Sequence, residues 1–186
     1  ATIMFAGRHL DFKRRALMQS LLDEQSASAL RKTIRDIFVM TFVIEGLGAI
    51  FLAWRFWALD MPVGQAVWTG LFHSVSAFCN AGFSLFGDSL SGFRADGWIN
   101  LIHALLIIAG GLGFVAVTAL CARRTWAHGI GPGWRRLSLQ IRLVVVVSVS
   151  LIVGGTILTF FLEYSHSLKD LPVGEKLLAS FFQSVS

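Results

Sequence analysis

The chain writes one motif twice. Residues 60–76 read DMPVGQAVWTGLFHSVS and residues 170–186 read DLPVGEKLLASFFQSVS, so that Asp60 and Asp170 open two copies 110 positions apart. Eight of the seventeen aligned positions are identical, including Pro62/Pro172, Gly64/Gly174, Ser74/Ser184 and Ser76/Ser186. Each copy follows a long apolar stretch, so the repeated unit is a long apolar helix and then a short helix carrying polar residues, a pattern that membrane proteins build by duplication. This restricts the chain to an all-α membrane design. The second copy stops in mid-motif at Ser186, which reads as an internal fragment of a longer protein.

With 55% hydrophobic residues, 15% charged residues and a mean hydropathy of +0.68, the composition is too apolar for an ordinary soluble domain. Three stretches, residues 36–59, 98–122 and 139–161, exceed the roughly 20 apolar residues that cross about 30 Å of hydrocarbon. The net charge of +5 would suit nucleic acid, but its placement argues otherwise. Seven Lys/Arg precede the first stretch and five lie between or beside the second and third, whereas only Arg55, Arg94, Lys169 and Lys176 fall on the other side. Twelve against four, alternating as three crossings require, places the basic loops in the cytoplasm and explains the charge without a polyanionic ligand. Cys79 and Cys121 form no disulfide framework, and no CxxC, Walker or GxSxG motif occurs.

Residues 62–86, PVGQAVWTGLFHSVSAFCNAGFSLF, are apolar enough to enter a membrane yet carry Thr69, His73, Ser74, Ser76, Asn80 and Ser84. A full crossing here would put the next basic loop outside, against the charge count. The segment is therefore expected to enter and return to the same face, which hydrocarbon permits only where irregular backbone is buried in protein or lines a watery cavity. Asp60 is expected to cap the short helix, Pro62 to sit at its first turn, and the apolar run to continue to about Cys79. Gly82 then supplies a backbone able to take positive φ. A helix ending inside the membrane aims its partly negative end inward, and the unwound residues beyond it expose carbonyls, an arrangement suited to a dehydrated cation.

At these residues the chain resembles a known family. FHSVSAFCNAGFSLFGDSL at 72–90 is similar to the second pore loop of the Trk/Ktr/HKT potassium transporters, most like the bacterial Ktr-type pore subunit. GGLGF at 110–114 resembles a glycine-rich stretch after a pore loop, IEGLGA at 44–49 the helix before it, and the closing FFQSVS the start of the third loop. The resemblance implies four helix–pore loop–helix units in pseudo-fourfold array around one pore. Residues 1–35 would then be the end of the first unit and a cytoplasmic linker, 36–122 the complete second unit, 123–138 a cytoplasmic loop, and 139–186 the third unit up to its pore helix. It implies that K+, with Na+ possible, binds the backbone carbonyls of Cys79, Asn80, Ala81, Gly82 and Phe83. Ktr-type sequences show Asn where this chain has Cys79, a change that leaves a carbonyl role intact. It also implies a homodimer in the bacterial inner membrane and a cytosolic nucleotide-binding regulatory subunit, with no covalent chemistry and no nucleic acid.

Other residues have plainer readings. Glu45, an ionisable group inside the first span, is expected to brace a neighbouring helix rather than line the pore. Ser74 and Ser76 are expected to bond back within the short helix or to brace the filter. Gly110, Gly111 and Gly113, like Gly154 and Gly155, are read as small residues that let helices approach. Two rival functions remain: a multi-pass membrane enzyme or haem or metal protein using His73 and His103, and a non-conducting structural subunit.

Overall fold

The computed structural model describes all residues except 1, 128, 165–167 and 170; for residues 2–27, 123 and 124 it describes the helical course alone. Asp170 of the second motif copy thus lies outside the described residues, as do the side chains of Arg8, Lys13, Arg14, Arg15, Arg123 and Arg124 from the charge count. Among the described residues the secondary structure is helical, in the order α1 (Thr2–Trp57), α2 (Val63–Phe78), a 3-10 turn (Ser91–Phe93), α3 (Gly97–Cys121), α4 (Arg123–Trp126), α5 (Ile130–Arg136), α6 (Leu139–Glu163) and α7 (Val173–Val185). The chain parts into two units, residues 1–42 and 43–186.

In the first unit α1 runs without a break through the place where the sequence separates a linker from the first span. Neither Gly nor Pro occurs between Gly7 and Gly46, so nothing there interrupts a helix. Three helical stretches are long and apolar enough to cross a membrane: Ser28–Trp57, Gly97–Cys121 and Leu139–Glu163, with mean hydropathy of 2.1, 2.4 and 2.5. Large apolar side chains such as Leu151 and Phe161 stay exposed on the last of these, a surface suited to lipid rather than water.

In the second unit the core forms where residues 43–57, α2 and α3 meet, around Leu52, Phe56, Ala66, Ile99 and Leu106. Glycines set the approach. A Cβ on Gly70 would lie 2.6 Å from the Ala53 nitrogen and 2.8 Å from the Ala49 oxygen, so α2 crosses α1 backbone to backbone. Ser74, fully buried in this crossing, donates its hydroxyl to the main-chain carbonyl of Glu45 at 2.7 Å. The second motif copy repeats the bond: Ser184 of α7 donates to the carbonyl of Ile152 on α6 at 2.8 Å. In each case the glycine three residues beyond the acceptor, Gly48 or Gly155, makes room for the serine. The duplicated sequence therefore packs its two short helices on their preceding long helices by the same device.

The segment entering α3 is pinned by Asp96. Its carboxylate accepts from the backbone N–H groups of Trp98 and Ile99 at 3.0 Å each, capping the helix, and from the Arg55 guanidinium at 2.7 Å. Burial works to raise the Asp96 carboxyl, but the Arg55 and backbone hydrogen bonds outweigh it and hold the group below the usual carboxylate range. Stability from this group is then present above its unfolded value of about 3.9 and is lost as pH falls through the lower folded value. Asp96→Asn, which keeps a capping oxygen, is expected to remove that acid-side dependence. Asp96→Ala should lose the cap as well, at a further cost of about 1 kcal/mol. Thermal unfolding of both variants between pH 3 and 7 checks the ordering.

Lys176, which the charge count places on the side opposite the basic loops, is 5% exposed. Its Nζ donates to the Tyr164 carbonyl at 3.0 Å and sits 3.7 Å from the Tyr164 ring centroid, tying α7 to the end of α6.

Candidate functional site

The short helix α2 ends in a turn that its own sequence closes. The Asn80 N–H donates to the Ala77 carbonyl at 3.1 Å and the Ala81 N–H to the Ser76 carbonyl at 2.9 Å, the paired bonds of a Schellman cap. That cap needs a left-handed residue, and Asn80 supplies it at φ 53°. Gly82 follows at φ 70°. The sequence reading assigns positive φ to Gly82 alone; the signal for Asn80 is its residue type, since Asn is the commonest left-handed cap after Gly. At the other end of α2 the expectation fails. Asp60 does not cap the helix; it takes φ 64° in the turn after α1, and Pro62 stands at the N-cap with no side-chain hydrogen bond.

Residues 79–83 are exposed. Among the described residues no hydrogen bond is donated to the carbonyls of Cys79, Asn80, Ala81 or Gly82. The Phe83 carbonyl differs, because it accepts the Ser76 hydroxyl at 2.8 Å. Ser76 thus bonds across the turn and Ser74 across helices, so neither serine bonds back within α2. His73, 2% exposed, accepts the Leu85 N–H at Nε2 over 3.4 Å and stacks on Phe86 at 5.2 Å between centroids. The outgoing limb of the turn is held by Ser76 and then by His73.

Glu45 is 9% exposed beside this turn. Its main-chain carbonyl, not its carboxylate, binds Ser74, while Oε1 is a weak acceptor for the Cys79 thiol at 3.9 Å. From the other flank Gly110 of α3 lies against the last peptide of α2. A Cβ there would overlap the Phe78 carbonyl oxygen and lie 2.9 Å from its carbon and 3.0 Å from Nδ2 of Asn80. The three glycines of GGLGF, read together as packing residues, do different things. Gly110 makes the close approach, Gly111 faces open space, and Gly113 takes φ 78° and breaks the helical course of α3. Gly154 is likewise open, whereas Gly155 packs on Ser184.

His73 and His103 come together, ring centroids 5.6 Å apart at 73°. Among the described residues no group of three or more His, Cys, Asp or Glu is placed to hold a metal ion. Cys79 and Cys121 are free thiols.

The sequence profile described as TrkH, a cation transport protein, matches residues 5–186. The chain is 33% identical over 182 residues to Ktr system potassium uptake protein B of Vibrio alginolyticus, covering 97% of this chain and 38% of that protein. It is 30% identical over 186 residues to the protein of the same name from Bacillus subtilis (strain 168), covering 99% and 40%. It is also 30% identical over 182 residues to potassium/sodium uptake protein NtpJ of Enterococcus hirae, covering 97% and 38%. The chain spans about two fifths of the length of the curated relatives it matches.

Proposed function

Because this chain belongs to the TrkH family of cation transport proteins, we propose that it forms part of a subunit that carries K+ across a bacterial inner membrane. The observation that carries the reading is the turn after α2. Four successive residues, Cys79 to Gly82, are exposed at the partly negative end of a helix, and no described residue donates a hydrogen bond to their carbonyls. Carbonyls so placed can replace the water around a dehydrated cation. Phe83 completes the stretch, its carbonyl braced by Ser76. Ser74 anchors α2 on α1, and Glu45 supports the turn from behind through Cys79.

In this reading α2 and the turn enter the membrane and return to the same face. Residues 36–122 form one helix–pore loop–helix unit, 123–138 a cytoplasmic loop, and 139–186 the start of the next unit. The repeated serine–carbonyl bond supports treating the two halves as copies of one unit. Basic loops lie in the cytoplasm by the distribution of Lys and Arg. The whole protein is proposed to be a homodimer that works with a cytosolic nucleotide-binding regulatory subunit; the relatives named for a Ktr system and for potassium/sodium uptake support a multi-component system and leave Na+ as a second cargo. The family's activity is transport rather than covalent chemistry, which sets aside the membrane-enzyme reading.

Uptake by the complete protein in cells deficient in K+ uptake tests this function. Growth at limiting K+ and K+ uptake well above Na+ uptake are expected. A protein that reaches the membrane, together with its regulatory subunit, and moves neither ion would refute the reading and favour a non-conducting structural subunit.

A further inference from the structure

The two motif copies anchor their short helices alike at one end and differently at the other. Ser74 and Ser184 make the shared bond, each near the C-terminal end of its helix. Toward the N-terminal end the first copy uses small residues: Ala66 belongs to the core with Leu52 and Phe56, and Gly70 brings α2 against the backbone of α1. At the same offset the second copy has Lys176 and Ser180, both buried. The Ser180 hydroxyl donates to the Lys176 carbonyl at 2.8 Å, so its proton is used inside α7. The link to α6 falls to Lys176, whose Nζ meets both the carbonyl and the ring of Tyr164, the C-cap residue of α6.

A lysine is out of place here on two counts. Its side chain is buried instead of holding the ammonium out in water, and it is the fourth residue of α7, at the end where a helix's own dipole disfavours a cation. Both costs are offset at α6. The C-cap carbonyl belongs to the partly negative end of that helix, which lacks intrahelical donors, and the Tyr164 ring offers its negative face to the charge. In the first copy the turn after α1 closes the helix end with its own backbone: the Met61 N–H donates to the Phe56 carbonyl at 3.2 Å and the Asp60 N–H to the Trp57 carbonyl at 3.0 Å. We propose that Lys176 is a positioning residue of the pore, which together with Ser184 fixes the tilt of α7 on α6 and aims the C-terminal end of α7 at the ion path. The two contacts lie eight residues apart, about 12 Å along a helix. Two points so spaced fix a tilt that one leaves free. Where that end points matters, because Ser186 lines the same cavity as Asn80 and Gly82. The inference rests on reading α7 as a pore helix.

Two readouts on the complete protein test this, hydrogen exchange at the α7 amides and the ratio of K+ to Na+ uptake at matched membrane abundance. Lys176→Met keeps most of the stem and removes the charge and its donors. In that variant the α7 amides are expected to exchange several-fold faster and the uptake ratio to fall several-fold. Lys176→Arg should restore both toward the wild type, since a guanidinium also donates to a carbonyl and stacks on an aromatic face. Tyr164→Phe should leave both unchanged, because the ring and the main chain act here and the phenol does not. Wild-type exchange in Lys176→Met would overturn the anchor, and faster exchange with an unchanged uptake ratio would overturn its role in the pore. A wild type that moves neither ion would count against the transport reading, while the exchange rates would still decide whether Lys176 holds α7.

Discussion

Gly110→Ala is expected to destabilise the protein by about 1–3 kcal/mol and to abolish most transport, whereas Gly111→Ala one residue on should stabilise it by up to about 1 kcal/mol. Both glycines sit in α3, where alanine is the better helix former. Only Gly110 lies against the backbone of another element. The added methyl would overlap the Phe78 carbonyl oxygen, and Phe78 is the last residue of α2. A flexible side chain could move aside, but this neighbour is main chain held in the capped turn. Relief requires α3 to withdraw or the peptide between Phe78 and Cys79 to rotate, and either motion shifts the carbonyls proposed to meet the ion. Thermal unfolding in detergent, with uptake at matched expression, separates the two variants. If they behaved alike, the close approach would not be what positions the turn.

Much of the fold is legible in local sequence because hydrocarbon imposes length and apolarity on whatever crosses it. The stretches at 98–122 and 139–161 become α3, Gly97–Cys121, and α6, Leu139–Glu163, within two residues at each end. The short helix expected from Pro62 to about Cys79 becomes Val63–Phe78. The start of the first span is different. Hydropathy marks where apolar residues begin, but a helix can run on through polar residues, and neither Gly nor Pro occurs between Gly7 and Gly46 to interrupt it.

The turn is half legible. Gly82 announces positive φ by its residue type, while Asn80 is obscured because Asn also suits ordinary turns and polar contacts. What local sequence cannot show are contacts created by helix crossing. The Ser74 bond to Glu45 spans 29 positions and the Arg55 bond to Asp96 spans 41. Both depend on how closely helices approach, which is set by Gly48 and Gly70 for the first and by the fold of the segment after the turn for the second. The duplicated motif did carry one such fact, since Ser74 and Ser184 align in sequence and make equivalent bonds.

Gly82→Ser is expected to act differently from Gly110→Ala, because nothing lies within 4 Å of the added Cβ. The cost is conformational. At φ 70° an L-residue pays about 1–2 kcal/mol, and it can relieve that cost by leaving the left-handed region. The Gly82 carbonyl then turns, and its neighbours turn with it. A free-energy loss of that size in ion coordination corresponds to roughly 5- to 30-fold in discrimination. Packing of α1, α2 and α3 should survive, since none of those contacts involves Gly82.

The central claim, that these carbonyls choose the ion, is tested most directly by the ratio of K+ to Na+ uptake in the complete protein, comparing wild type with Gly82→Ser at equal membrane abundance and thermal stability. The account predicts a K+-selective wild type and a variant whose ratio falls about tenfold. A variant that keeps the wild-type ratio and rate would contradict it and remove the turn from the ion's path.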